Sequence, residues 1–111
     1  MTTTLGSDDE FWQAAHGVLQ RPGVTRSTMM GYPCLRLHGD FFASWDSHHR
    51  ALIVKLDRSA VTILLEAGVG EPFAPCGRQF REWISIPPRL IEAWPDHLDA
   101  AFDRAVERAA T

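Results

Sequence analysis

The pattern of apolar residues predicts an α+β fold. The expected form is a two-layer α/β sandwich, with an antiparallel sheet of about five strands and three main helices. The element order is helix, four strands, helix, strand, helix. Three observations carry this expectation. Both ends of the chain show apolar residues at helical spacing. The stretch from 27 to 56 alternates apolar and polar residues between short turn signals, which suits a meander of antiparallel strands. A further helical stripe and one more strand follow, separated by a Gly/Pro-rich loop. With 111 residues, the chain is read as a single domain over 1–111. A domain of this size buries roughly two-thirds of the surface its unfolded chain exposes, enough for one core without staples.

The first helix is expected to start at Ser7, which with Asp8, Asp9 and Glu10 forms a capping box and an acidic first turn. Phe11, Trp12, Ala15, Val18 and Leu19 make its apolar stripe, and Arg21-Pro22-Gly23 ends it. A short strand is expected over 27–31, and 34–38 alternates Leu35 and Leu37 against Arg36 and His38. Gly39-Asp40 has Gly first and suits a two-residue type II′ turn into a return strand at 41–46. A polar loop then leads to a strand over 51–56.

Asp57 is a good cap for the second helix, with Val61, Leu64 and Leu65 on its stripe and Gly68 as its stop. The loop over 68–77 is a candidate binding loop or a packed connector that holds Phe73 against the core. The last strand is expected over 80–86, ended by Pro87-Pro88. A short helical turn through Leu90, Ile91 and Trp94 comes next. The final helix carries Pro95 at its first position and runs to about 109, with Leu98, Ala101, Phe102, Ala105 and Val106 inward.

The expected hairpin turn fixes which side chains share a face. With Gly39-Asp40 as the loop, Leu35, Leu37 and Phe42 lie on one face, and Cys34, Arg36, His38, Phe41, Ala43 and Trp45 on the other. In the next strand Leu52, Val54 and Leu56 oppose Ile53 and Lys55. In the last strand Phe80, Ile84 and Ile86 oppose Arg81 and Trp83. If helices cover the Leu/Val face, the open face carries Arg36, His38, Phe41, Trp45, Ile53, Lys55, Arg81 and Trp83. Such a basic and aromatic surface suits nucleic acid, with cations on phosphates and rings on bases. It suits equally a protein or homodimer interface, or a small ligand, and the two tryptophans are also good core residues. A slip of one residue in register exchanges every side chain between faces.

Several chemistries lack their residues. The net charge of −3, from 11 Lys+Arg and 14 Asp+Glu, excludes a histone-like polycation but not a local basic patch. No phosphate-loop or dinucleotide motif occurs, and Pro72 and Pro75 remove donors where a cradle around Gly68-Val69-Gly70 needs them. No pattern of His and Cys has metal-ligand spacing, so neither a metal nor another cofactor is expected. Cys34 near His48 or His49 lacks any patterned oxyanion hole or orienting carboxylate. The reading is therefore non-enzymatic. Cys34 and Cys76 are expected to be free thiols. The polar start of the chain and the lack of a long apolar run predict a cytoplasmic protein with no membrane partner.

Gly31-Tyr32-Pro33, the hairpin over 35–45, Leu52-Ile53-Val54-Lys55-Leu56, Glu71-Pro72-Phe73-Ala74-Pro75 and Phe80-Arg81-Glu82-Trp83 resemble the MmcQ/YjbR family over nearly the whole chain. The resemblance implies a YjbR-like α/β sandwich similar to the N-terminal domain of the TfoX competence regulators. It also implies DNA binding, by analogy with a double-wing architecture, and carries over no catalytic residue. Lys55 and Trp83 match its pattern. The candidate contact residues for DNA, or for a protein partner or second copy, are Arg36, His38, Trp45, Lys55, Arg78, Arg81 and Trp83.

Overall fold

The computed structural model describes residues 8–29 and 31–110. It is an α+β fold with one antiparallel sheet of six strands and three α-helices. The helices are α1 (Asp8–Ala14), α2 (Arg58–Glu66) and α3 (Trp94–Ala109). The strands are β1 (Val24–Met29), β2 (Tyr32–Leu37), β3 (Asp40–Asp46), β4 (Ala51–Lys55), β5 (Glu71–Pro72) and β6 (Trp83–Ile86). They lie in the order β1-β2-β3-β4-β6-β5. β5 was not expected from the sequence. It is a two-residue edge strand whose proline cannot donate to a ladder, which is tolerated only at an edge.

The expected Ser7 cap lies outside the described residues. α1 is shorter than its stripe suggests. It gives way at Ala15 to a turn and a 3-10 segment, Val18–Gln20, so that Val18 still reaches the core. α2 is capped at both ends as its sequence predicts. The Asp57 carboxylate accepts the Ala60 amide at 2.8 Å. At the other end the Gly68 amide donates to the Leu65 carbonyl and the Val69 amide to that of Leu64, with Gly68 at φ 72°. This is a Schellman closure, and it needs the left-handed residue that glycine supplies without strain. Trp94 opens α3 fully buried, and its indole N–H donates to the Pro87 carbonyl at 3.2 Å.

The β2–β3 hairpin departs from expectation in two ways. Leu37 pairs with Asp40, so the loop is His38-Gly39, one residue earlier than predicted. Both loop residues have positive φ, 50° and 88°, which is the type I′ pattern whose twist matches the flanking strands. A β-bulge then follows. Arg36 pairs with Phe41 but Leu35 with Ala43, so Phe42 is an extra residue. Phe42 and Ala43 both turn inward, and the alternation restarts one step out of phase.

Trp45 is thereby moved to the helix-covered face, where it is only 3% exposed. The expectation that Trp45 and Ala43 belong to the open face is corrected by this bulge. Trp45 stands edge-on to Trp94 at 5.9 Å and tilted against Phe11 at 6.4 Å. Phe42 meets Phe102 edge-on at 6.2 Å. Leu35, Leu37, Leu52, Val54, Ile84 and Ile86 form the floor of this core. Every buried side chain of the helices joins the same cluster. Val106, expected inward, is exposed at the frayed side of α3.

Two predictions follow from this packing. Trp45→Ala should cost about 3–5 kcal/mol in urea unfolding, the range for emptying a large aromatic site. Trp83→Ala, outside that cluster, should cost clearly less. The Asp57 pKa is held below the ordinary carboxylate value, first by the Ala60 amide and then by Ser59 and Arg104. Its contribution is thus present above the unfolded pKa, ~4, and disappears as the pH falls through the lower folded value. Asp57→Ala should lower Tm at pH 7, and the gap to the parent should close at acid pH in parallel melts.

Candidate functional site

Among the described residues no helix layer covers the second face of the sheet, and its side chains fall in rows across the strands. Its outward positions include two directly opposed pairs, Arg36 on β2 with Phe41 on β3, and Lys55 on β4 with Trp83 on β6. Arg36 and Phe41 are directly opposite, and the guanidinium stacks 4.1 Å from the ring centroid. Lys55 and Trp83 are directly opposite, with Nζ 6.0 Å from the indole. These are cross-strand cation–π pairs that hold the charges outward on aromatic supports.

The neighbouring row is small: Ser27, Cys34, Ser44, Ile53 and Ser85. Cys34 and Ile53 are nonetheless buried, outside the main core cluster. Tyr32 and Arg36 flank Cys34 on its own strand and face, and Lys55 flanks Ile53. Burial pushes the Cys34 thiol pKa up, opposed by the Ser27 hydroxyl and the Arg36 charge. Cys76 is exposed, and the two thiols are unpaired.

Beyond Trp83 this face runs into an open groove of about 520 Å³, lined by Arg58, Arg78, Gln79, Phe80, Arg81, Glu82 and Trp83. Its wall is a tight turn rather than the strand expected over 80–86. The Trp83 amide donates to the Phe80 carbonyl, and the Leu56 amide donates to that of Glu82. The turn releases Phe80 from the inward face predicted for it and leaves it 44% exposed. Phe73 packs between Phe80 and Trp83, with centroids 5.8 and 6.4 Å away. The Phe80 amide donates to the Phe73 carbonyl at 2.9 Å, which ties the 68–77 loop to the turn. Phe73 therefore serves the groove and is not part of the main core.

On the helix side Arg21 pairs with Asp99, Arg104 with Asp57 and Glu107, and Arg108 with Asp40, while Arg26, opposite Leu35, stacks on Trp12 at 4.1 Å. Among the described residues none of Arg36, Lys55, Arg58, Arg78 and Arg81 pairs with a carboxylate. A smaller depression of about 260 Å³ is lined by Leu56, Glu82 and the ion-paired Asp57, Arg104, Glu107 and Arg108, so both of its arginines are already matched.

Of the seven residues expected from sequence, the structure brings Lys55, Arg78, Arg81 and Trp83 together and places Arg36 on the same face of the sheet. His38 sits apart in the hairpin turn, its ring over Gly23. Trp45 is in the core. Arg58 and Phe80 belong to the site but were missed. Arg58 reads as the polar start of a helix, and Phe80 as an inward strand residue. Tyr32 pairs with Met29 at the far end of β2 and lines neither depression.

Among the described residues there is no group of three or more His, Cys, Asp and Glu placed to hold a metal ion. No helix among them is long and apolar enough to cross a membrane. The chain matches no protein-family model, and comparison with curated proteins and with solved structures returned no match.

Thiol labelling tests the burial of the row. The native protein should react with one equivalent of Ellman's reagent, and with two in denaturant. Cys76→Ser should abolish the native reaction and leave the second.

Proposed function

We propose that the chain is a small, non-enzymatic, cytoplasmic DNA-binding protein of the MmcQ/YjbR kind, with the Arg36–Phe41 and Lys55–Trp83 pairs and the adjoining groove as its contact surface. One observation carries this reading: Arg36, Lys55, Arg58, Arg78 and Arg81, which among the described residues have no carboxylate partner, are gathered around the rings of Phe41, Trp83 and Phe80 on the open face and in the groove. Arginine or lysine already neutralised by a carboxylate gains little from a phosphate. One held on a ring keeps its full charge for a polyanion. Lys55 and Trp83, which carry the family resemblance, are also the directly opposed pair at the centre of this surface.

The competing reading is an interaction module that buries tryptophans against a partner or second copy. It required Trp45 and Trp83 on one exposed face, and with Trp45 in the core it keeps only Trp83 and Phe80 as anchors. The net charge of −3 sets the binding at modest strength.

Fluorescence anisotropy with a labelled oligonucleotide tests the proposal. Affinity should fall steeply between ~50 and ~200 mM salt, and Lys55→Ala and Arg81→Ala should each weaken binding and lower the salt slope by ~0.7–0.9. Unchanged affinity in both variants would falsify the proposal. Salt-independent self-association, seen by sedimentation, would favour the interaction module.

A further inference from the structure

We infer that the groove at the Phe80–Trp83 turn takes single-stranded DNA rather than duplex, with one unpaired base on the Phe80 ring and flanking phosphates on Arg58 and Arg78. This rests on the DNA-binding reading and specifies its ligand.

The first ground is the shape of the aromatic shelf. Phe80 is exposed, and its ring is backed by Phe73 at 5.8 Å with 35° between planes. Phe73 is backed in turn by Trp83. A ring fixed in this way offers a stacking surface without further ordering, and stacking is the one contact that every base makes. Base faces in an intact duplex are covered by their neighbours, so the shelf has no use against duplex except at its ends.

The second ground is the placement of charge. Arg58 comes from the first turn of α2, whereas Arg78 and Arg81 come from the loop on the other side. Guanidiniums from two segments that line one groove with an exposed ring match a strand whose phosphates flank a turned-in base. Glu82 is the one carboxylate in the wall, and three arginines outweigh it.

The third ground is the lack of anything to read a duplex. Duplex major grooves are entered by a helix or β-ribbon carrying cations and amides. The outward positions of α3 carry Asp96, Asp99, Asp103 and Glu107, and those of α2 carry Thr62, Ile63 and Glu66, with Arg58 as the one cation, at its start. Neither helix presents a basic face.

The test compares a labelled oligothymidine of roughly 12 nucleotides with a duplex of the same length at ~50 mM salt, with oligouridine as competitor. The single strand should bind roughly tenfold tighter than the duplex, and oligouridine should compete no better than oligothymidine. Phe80→Ala should cost roughly tenfold on the single strand and leave duplex binding unchanged. Arg58→Ala should lower the single-strand salt slope by ~0.7. Both side chains are exposed, and unchanged melting curves confirm that the variants fold. Tighter duplex binding, tighter oligouridine binding, or no effect of Phe80→Ala overturns this inference and leaves the DNA-binding reading standing. No binding of any probe at ~50 mM salt overturns both.

Discussion

The β-bulge at Phe42 decides what each face of this protein is made of. With strict alternation along β3, Phe42 and Ser44 would point inward and Ala43 and Trp45 outward. The bulge lets Phe42 and Ala43 both point inward, then sends Ser44 out and Trp45 in. In effect a serine is exchanged for a tryptophan in the core. Burying an indole is worth roughly 4 kcal/mol even at the low end of aromatic areas. The ladder hydrogen bond lost at the bulge is worth about 1 kcal/mol. The irregular strand wins by that margin, and the Phe11–Trp45–Trp94 cluster seats α1 and α3 on the sheet.

The same exchange prepares the opposite face. Placing Ser44 outward beside Cys34 and Ile53 makes a low row in the middle of the sheet. The long side chains are left at the flanking outward positions, where each cation has a ring to lie on. The His38-Gly39 turn belongs to the same construction, because its type I′ twist delivers Phe41 opposite Arg36. Core and surface are thus one problem in register, solved by a turn and one inserted residue.

Much of this was legible from the residues. β6 alternates cleanly and Lys55 is the one polar residue of the apolar β4, so Lys55 and Trp83 could be placed on one face. Asp57 and Gly68 announce the ends of α2. What was not legible has a physical cause in each case. Period-2 alternation carries no mark of an inserted residue, and Gly39-Asp40 is as plausible a two-residue turn as His38-Gly39, so Trp45 was assigned to the wrong face. The run over 80–86 alternates like a strand throughout, although its first three residues are a turn held by the Trp83 amide and by the Leu56 amide. Phe80 was therefore read inward, and the groove it lines with Arg58 joins segments more than twenty residues apart, a proximity that no local pattern encodes.

A chain of net charge −3 can still attract a polyanion, because its charges are sorted by layer. The acidic residues of α1 and α3 lie in the helix layer, and Asp99 and Glu107 of α3 are neutralised by Arg21 and Arg104. Arg36, Lys55, Arg58, Arg78 and Arg81 lie on the other side of the sheet or at its end. Packed layers are about 10 Å apart, close to one Debye length at ~0.1 M salt. At that ionic strength the acidic layer is largely screened from a ligand on the open face, and the local arginines dominate. As salt is lowered further the acidic layer reaches through and opposes the ligand. The net charge therefore sets the long-range approach, and the aromatic-supported cations set what happens at contact.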